Sequence, residues 1–422
     1  MHATAPHYTE GLTRRRSTAP SWTVEAVKQV RYHVVEASGL FEPASTLLLS
    51  GCADAPLRSG DRRLVVIDST VQELHGERIA RYFAHHGIAA TLLPVRADES
   101  VKRWESVTDV VDAMNDFGID RRREPVIAIG GGVLLDVVGL AASLYRRGTP
   151  YVRIPTTLVG LVDAGVGVKT GVNHGHGKNR LGTYAPPVAT FVDRSFLSTL
   201  DARHLSNGLA EILKMALIKS AELFDLLEDF GPQLIEDRFQ GSTPALETAA
   251  RQVVSEAIHL MLEELQPNLW EQTLERCVDY GHTFSPTIEM EALPELLHGE
   301  AVAVDMALTT VLGRMRGDVT KHQAERVLTL MGRLRLPLWA DVLARPGILD
   351  GALADTVRHR DGQQRLPLPV GIGHHRFVND VTPGELGIAL KELDAAQRTG
   401  AAQRNGAALR SAAGLVGAGE AA

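Results

Sequence analysis

The sequence predicts an α/β protein in which a doubly wound, mostly parallel sheet is followed by an all-α region. Two observations predict this fold. In the first half of the chain, short apolar runs of strand length alternate with stretches of helix length, as in strand–helix–strand units. From about residue 201 the short runs give way to long amphipathic segments. The length of 422 residues is sufficient for two domains with separate cores.

In the first half, buried strands are predicted at residues 63–68, 89–94, 125–129 and 151–155, with helices at 72–86, 102–116 and 133–145 between them. Before them, alternation over 21–38 indicates extended chain, and 47–49 is predicted as a short strand. The second half is predicted to contain helices at 205–230, 244–264, 274–291, 300–316 and 321–331. We expect a disordered lead (1–20), an α/β domain (21–200), a helical domain (201–395) and a disordered Ala/Gly-rich tail (396–422).

The overall composition excludes several classes of protein. The net charge of −7 argues against a general nucleic-acid-binding protein. The two cysteines, Cys52 and Cys277, cannot form a disulfide framework or a Cys-rich zinc site. No apolar run approaches the ~18–20 residues of a membrane span, and no apolar core follows the arginines at 14–16 as it would in a secretion signal. We therefore expect a cytoplasmic protein with a small-molecule partner, and neither nucleic acid nor membrane.

A glycine-rich turn, Gly130-Gly131-Gly132, joins the third predicted strand to an apolar helix. Glycines at such a turn let the backbone approach a diphosphate, which the free N–H groups of the helix start then bind. The turn lacks the spacing of the dinucleotide fingerprint, so a tight turn without a ligand is the alternative. Asp68 ends another strand, where it can accept a hydrogen bond from a ribose hydroxyl or simply be solvated.

Two further stretches carry candidate ligand-binding residues. The glycine-rich segment 163–182 contains Lys169, Lys178 and Asn179, which suits phosphate and polyol binding, although an exposed basic loop has the same composition. In the second half, Glu211 and Lys214 share one face of an apolar helix, where each needs a partner.

His282 and His298 are candidate partners for Glu211. Two imidazoles and a carboxylate form a usual catalytic zinc set, with a buried ion pair and two hydrogen-bonded histidines as the alternative. If the first half binds the dinucleotide and the second the metal, the active site lies in the cleft between them.

These segments occur together and in an order that resembles the sugar phosphate cyclase family, whose best-known member is dehydroquinate synthase. The resemblance covers about residues 21–395 and rests on Gly130–Asp136, Arg147-Gly148, Pro155–Thr157, Asp163–Lys169, Gly177–Asn179, Asn207–Lys214, Gly281–Thr283 and His298–Glu300. It implies a homodimer that uses NAD and zinc or cobalt, with the metal held by Glu211, His282 and His298. It implies substrate contacts from Arg147, Lys169, Asn179 and Lys214. It also implies NAD contacts from Asp68, Glu99, Lys102, Gly131, Gly132, Asp136, Thr156, Thr157, Asp163, Lys178, Phe196, Thr199 and Leu200.

The chain departs from dehydroquinate synthase at four positions. Pro286 stands where that enzyme has a second histidine, Asp279 replaces an Asn, Glu275 an Arg and Met261 a Lys. Losing two cations and gaining a carboxylate disfavours a carboxylated substrate, whereas a hydroxymethyl group can hydrogen-bond to Glu275 or Asp279. The branch that this pattern resembles cyclises sedoheptulose 7-phosphate to 2-epi-5-epi-valiolone on routes to C7-cyclitol natural products. Asp279 is the candidate to replace the missing histidine in proton transfer.

The family chemistry implies transient oxidation at C5, β-elimination of phosphate, re-reduction, ring opening and intramolecular aldol closure. Four alternatives remain at this point. They are a dehydroquinate synthase that tolerates the four changes, a family member making another cyclitol epimer or demethyl-4-deoxygadusol, a metal-dependent polyol dehydrogenase of related fold, and a catalytically inactive binding protein.

Overall fold

The computed structural model describes residues 11–15, 21–50, 56–175, 177–395 and 397. The strands within these residues are β1 (Gly11–Arg15), β2 (Ser21–Glu25), β3 (His33–Ala37), β4 (Arg62–Asp68), β5 (Ala89–Val95), β6 (Val126–Gly130), β7 (Tyr151–Pro155), β8 (Lys169–His174), β9 (Gly177–Tyr184), β10 (Ala189–Asp193), β11 (Leu366–Pro369) and β12 (His375–Val378). The helices are α1 (Leu47–Ser50), α2 (Ser69–His85), α3 (Trp104–Phe117), α4 (Gly132–Leu144), α5 (Ala202–Lys219), α6 (Ala221–Glu236), α7 (Pro244–Leu265), α8 (Ser285–Glu291), α9 (His298–Met315), α10 (Lys321–Arg333) and α11 (Ile348–His359).

One six-stranded sheet, in the order β3-β10-β7-β6-β4-β5, organises the first half. Its pairings are parallel. Strands β6, β7 and β10 are buried along their whole length, as expected for a parallel sheet covered on both faces. The doubly wound α/β fold expected from the sequence is therefore confirmed.

Alternating side chains of each strand serve the two faces of the sheet. On β4, Val65 and Ile67 pack into one core together with α2. Leu64 and Val66 point the other way, into a core formed with α3 and α4. This two-residue period explains why the strand reads as a continuous apolar run.

The strand order reverses between β4 and β6, because the chain proceeds from β4 outward to β5 and then returns to the opposite side of β4. In open α/β sheets, ligands bind at the carboxyl ends of strands at such a reversal. Asp68 and Gly130 end these two strands, and a Cβ built on Gly130 would lie 3.2 Å from the Cβ of Asp68. The glycine turn is thus placed at the expected binding crevice.

The second half is built around α5 and α9, whose residues are nearly all buried. Their core is continuous with residues of the first half, including Leu158, Leu161 and Val192. Within this shared core, α5 packs directly against the segment that follows β7, where a Cβ added to Gly208 would overlap the Cβ of Leu158.

Three predictions for the first half are wrong in detail. Residues 47–49 begin α1 instead of a strand. The segment expected to be a loop contains the antiparallel hairpin β8–β9 and a π-helical turn, Gly160–Ala164. Part of the expected disordered lead, β1, pairs with β2. The remainder of that lead, and nearly all of the predicted tail, lie outside the described residues.

Three further differences concern the second half. The helix expected at 205–230 is interrupted at Ser220, whose extended backbone and hydroxyl cap the start of α6. The helix expected at 274–291 exists only as α8, which begins at Ser285, and Gly281 adopts a φ of 73° in the non-helical stretch before it. The region is also not purely helical, since β11 and β12 form a hairpin. In the described chain, no helix combines the length and apolarity needed to cross a membrane.

Candidate active site

A cavity of about 1070 Å³ opens between the glycine turn and the helices α5, α8 and α9. This volume is at the upper end of the range for small-molecule sites. The residues predicted from sequence that line it are Glu99, Lys102, Gly131, Gly132, Asp136, Thr157, Asp163, Lys169, Lys178, Asn179, Lys214, Asp279, His282 and His298.

The three predicted metal ligands meet beside this cavity. Glu211 lies on α5, His298 is the first residue of α9, and His282 lies in the loop before α8. The Oε1 atom of Glu211 lies 3.3 Å from Nε2 of His298 and 3.7 Å from Nε2 of His282. Candidate ligand atoms of the three residues all lie within 4.8 Å of one another. Residues far apart in sequence therefore form one compact donor set.

Each histidine is held in place through its other ring nitrogen. Nδ1 of His282 lies 3.0 Å from the carbonyl oxygen of Tyr280, to which it can donate. Nδ1 of His298 lies 2.9 Å from Oε2 of Glu289. Such outer contacts fix the ring orientation of metal-binding histidines and leave Nε2 for the metal.

The electrostatics of the set fit a cation. Glu211 is buried, and among the described residues neither of its carboxylate oxygens accepts a hydrogen bond of normal geometry, although Nζ of Lys214 lies 2.6 Å from Oε2. Burial lowers the pKa of His282 to about 4, which keeps it neutral. Burial also opposes protonation of His298, yet Glu289 and Glu211 raise its pKa to about 9. The site thus attracts positive charge, and one carboxylate with two imidazoles suits Zn²⁺.

Lys214 lies next to this set, buried on the same face of α5. Its Nζ lies 4.0 Å from Oδ1 of Asp163 as well as close to Glu211. Burial alone would lower the pKa of Lys214, but these two carboxylates raise it above its ordinary value. Lys214 therefore presents a fixed positive charge to the cavity at neutral pH.

The glycine turn forms the opposite wall. Gly131 is the N-cap of α4, and a Cβ on it would lie 3.1 Å from Cγ2 of Thr157. A Cβ on Gly132 would lie 3.1 Å from that of Ala164. These close approaches explain why glycine stands here, and they leave the N-terminus of α4 open to an anion.

A polar cluster connects this turn to the β8–β9 hairpin. Nζ of the buried Lys102 lies 2.6 Å from Oδ2 of Asp136 and donates to Oδ1 of Asn179 at 2.8 Å. Asn173 donates to Glu99 at 2.8 Å and accepts from the backbone N–H of Asn179 at the same distance. The cluster fixes Asn179 in a left-handed conformation, with a φ of 51°.

A second charged network lies between the hairpin and the loop before α8. Lys169 and Arg276 both contact Oε1 of Glu271. Oδ2 of Asp279 is 2.7 Å from Nη2 of Arg276 and 3.2 Å from Nη2 of Arg360. Although burial opposes ionisation, the two arginines hold the pKa of Asp279 below its usual value. Such a carboxylate is a stable anion and is poorly suited to donating a proton.

Two predicted substrate residues do not line the cavity. Glu275 is exposed, and Arg147 lies on the exposed turn after α4 with a φ of 64°. Glu271, four residues before Glu275, does line the cavity, and the substrate contacts expected of Glu275 and Arg147 stay predictions.

Five predicted NAD residues also lie outside the cavity lining. The side chain of Phe196 is 1% exposed and packs edge-on against Phe41 in the core, and the NAD contact expected of this residue stays a prediction. The carboxylate of Asp68 caps α2. The others, which stay predictions, are Thr156, Thr199 and Leu200: the first is buried at the glycine turn, the second hydrogen-bonds His75, and the third packs against the helical core.

Three of the four residues expected to mark a departure from dehydroquinate synthase line the cavity, namely Met261, Asp279 and Pro286. Pro286 lies in the first turn of α8, where its missing N–H costs no helical hydrogen bond. Two acids that were not predicted as site residues from the sequence, Glu289 and Asp305, lie close to the predicted metal ligands in the structure. Glu289 is a buried acid in an apolar stretch, and the carboxylate of Asp305 accepts from the N–H groups of Phe284 and Ser285 at 2.6 and 3.0 Å.

Comparisons with known proteins agree with this geometry. A family model of the 3-dehydroquinate synthase N-terminal domain matches residues 92–207, and the C-terminal model matches 208–356. A 2-epi-5-epi-valiolone synthase of Streptomyces albus is 60% identical over 375 residues, covering 89% of this chain and 91% of the relative. One from an Actinoplanes species is 60% identical over 369 residues, covering 87% and 92%.

A solved structure is similar as well. It is ValA, the 2-epi-5-epi-valiolone synthase of Streptomyces hygroscopicus subsp. jinggangensis, with NAD+ and Zn2+ bound, and it is 55% identical with a TM-score of 0.83. The match covers 89% of this chain and 100% of that one. This chain therefore belongs to the dehydroquinate synthase-like family of sugar phosphate cyclases.

Proposed function

We propose that this protein converts sedoheptulose 7-phosphate to 2-epi-5-epi-valiolone and inorganic phosphate in the biosynthesis of a C7-cyclitol natural product. The observation that carries the proposal is one cavity bounded by a metal-binding triad and a glycine turn, in a chain 60% identical to synthases of that name.

We propose zinc and NAD as its cofactors, with cobalt as the alternative metal. Glu211, His282 and His298 would hold the metal, and the turn Gly130–Gly132 would face the diphosphate of NAD. When bound, zinc supplies a Lewis acid for substrate hydroxyls and NAD supplies a reversible hydride acceptor, so the net reaction consumes no NAD.

The phosphate-binding role is assigned to cations that the fold holds in fixed positions. Lys102, Lys169, Lys178 and Lys214 line the cavity, and each has a carboxylate within 4 Å. Such pairing restricts the motion of a lysine side chain. A phosphate dianion then meets positioned donors, with Asn179 beside them, so binding requires little reorganisation.

The cavity residues away from the phosphate-binding cations indicate the chemistry of the end of the substrate that carries no phosphate. Met261 and Pro286 offer neither charge nor hydrogen-bond donor, and Asp279 is anionic. A neutral ketose fits these neighbours better than a sugar acid does, which favours sedoheptulose 7-phosphate over the substrate of a dehydroquinate synthase. Synthesis of a different cyclitol epimer is the second candidate, since these residues do not specify product stereochemistry.

We also propose that the chain divides near residue 200 into an NAD domain (21–200) and a metal domain (201–395), and that it acts as a homodimer in the cytoplasm. The two family models meet close to that boundary, at residues 207 and 208. Sedimentation velocity at several protein concentrations tests the dimer, and a single monomeric species throughout would refute it.

The metal assignment is tested by replacing Glu211 with alanine. We expect the variant to lose bound zinc, measured by elemental analysis, together with phosphate release from sedoheptulose 7-phosphate. Glu77→Ala is a suitable control because the Glu77 side chain is 87% exposed on α2. Full activity of Glu211→Ala would refute the metal site.

A further inference from the structure

We propose that Glu271 is a specificity-determining residue that excludes sugar phosphates carrying a carboxylate. This inference rests on the proposed function and assigns its discrimination to a residue that is neither a metal ligand nor a phosphate-binding cation, although it pairs with Lys169. Glu271 lies just after α7, and its carboxylate lines the cavity while remaining 14% exposed. Its φ of 52° is unusual for a residue with a long side chain, and such conformations cluster at functional sites.

Three neighbours fix the carboxylate of Glu271. Oε1 contacts both Lys169 and Arg276, and Oε2 accepts a hydrogen bond from the hydroxyl of Tyr184 at 3.1 Å. Asp279 takes the other side of the Arg276 guanidinium and also contacts Arg360. The result is a chain of alternating charges, Lys169–Glu271–Arg276–Asp279–Arg360.

The carboxylates of this chain of charges lie nearer the cavity than its guanidinium groups do. Glu271, Asp279 and Lys169 line the cavity, whereas the two arginines do not belong to its described lining. The guanidinium groups that would otherwise bind a carboxylate therefore lie behind carboxylates of the protein and are already paired. A ligand carboxylate arriving here would face two anions and one cation that Glu271 already engages.

A hydroxymethyl group fits beside Glu271 and Asp279, since its hydroxyl can donate a hydrogen bond to a carboxylate. The carboxylates of Glu271 and Asp279 therefore repel a ligand carboxylate and accept a hydrogen bond from a ligand hydroxyl, a combination that specific sites commonly use. This reading differs from the expectation that Glu275 fills the role, because Glu275 is exposed outside the cavity.

The test measures inhibition by the carboxylated heptulosonate phosphate, using the enzyme loaded with zinc and NAD and phosphate release from sedoheptulose 7-phosphate as the readout. We expect Glu271→Gln to lower the inhibition constant by about tenfold or more, because it removes a repelling charge and frees Lys169 and Arg276. Glu271→Asp keeps the charge and should retain the wild-type discrimination. Glu275→Gln, the same change of charge four residues away, should leave the inhibition constant within about twofold.

An inhibition constant of Glu271→Gln within about twofold of the wild-type value would overturn the proposal. The same holds if Glu275→Gln produces the larger change. A measurement on the wild-type protein avoids dependence on the folding of any variant. In calorimetry, the primary amide of the heptulosonate phosphate should bind about tenfold more tightly than the carboxylate, and equal affinities would refute this repulsion. Failure of the proposed function appears separately, as no phosphate release from sedoheptulose 7-phosphate by the wild type.

Discussion

Replacing Glu289 by glutamine removes the charge of a buried carboxylate that is not itself one of the predicted metal ligands. Glu289 is 2% exposed on α8, and its Oε2 atom lies 2.9 Å from Nδ1 of His298 and in contact with Nζ of Lys178. Burial opposes its ionisation, but His298 and Lys178 hold its pKa well below the usual range. At neutral pH it is therefore an anion that orients a metal ligand and increases the electron density of its ring.

The magnitude follows from what glutamine retains. Its amide oxygen can still accept from His298, but the charge is lost, and Lys178 then lies beside a neutral group. Loss of a comparable outer carboxylate weakens metal binding by about 10- to 100-fold, or about 1.4–2.7 kcal/mol. We expect Glu289→Gln to weaken zinc binding by that factor.

The assay is competition for zinc with a chromophoric chelator at pH 7.5. Glu291→Gln is the matched control, because Glu291 lies on the same helix but is exposed and pairs with Arg345 at 2.7 Å. It should bind zinc as the wild type does. Unchanged zinc affinity in a folded Glu289→Gln protein would refute the reasoning that Glu289 supports His298 as a ligand.

Three further predictions concern stability, each measured by urea unfolding of the protein without added metal. Lys102→Met leaves the carboxylate of Asp136 without its buried partner and should cost about 3 kcal/mol; a loss below about 1 kcal/mol would show that the pair is solvated. Gly299→Ala places a methyl group against the backbone of α5 and should destabilise the protein by about 3 kcal/mol. The Cβ added by Gly351→Ala has no atom within 4 Å, so this variant should stabilise the protein by about 0.5 kcal/mol, and equal effects of the two changes would contradict this packing. Burial raises the pKa of Asp305 from 3.8 to about 6 in the folded protein, so the folded state is most stable below the unfolded pKa, where the buried carboxyl is protonated, and loses this stability as pH rises through 6. Relative to Asp305→Asn, the free energy of unfolding of the wild type should fall by about 3 kcal/mol between about pH 4 and pH 7, and parallel pH profiles of the two proteins would contradict this.

The parts of the fold that sequence reasoning predicted are those with strong local signals. The apolar runs of β4, β6 and β7 can satisfy their backbone and bury both faces only inside a parallel sheet. The glycine turn follows one of them directly. Residue types made the metal triad a candidate, with a buried ion pair and two hydrogen-bonded histidines as the alternative, and the resemblance to the cyclase family implied it as a set.

The parts that were not predicted depend on the backbone at single residues. Ser220 ends a helix whose apolar pattern continues beyond it, and Gly281 prevents one where periodicity suggested it. Glu271 and Glu275 are both acids in one loop, and only Glu271, which has a left-handed backbone conformation, lines the cavity. Asp279 pairs with Arg276, three residues before it, but its second partner, Arg360, comes from a distant segment that no local signal in the sequence connects to it.

The most direct test of the central claim is phosphate release by the zinc- and NAD-loaded protein, comparing sedoheptulose 7-phosphate with the carboxylated heptulosonate phosphate while absorbance at the NADH band is followed. We predict release from sedoheptulose 7-phosphate without net NADH formation, and a product whose mass and NMR spectrum are those of 2-epi-5-epi-valiolone. Release from the carboxylated sugar alone would identify a dehydroquinate synthase instead, and stoichiometric NADH would identify a dehydrogenase. Either result would contradict the function proposed for this cavity.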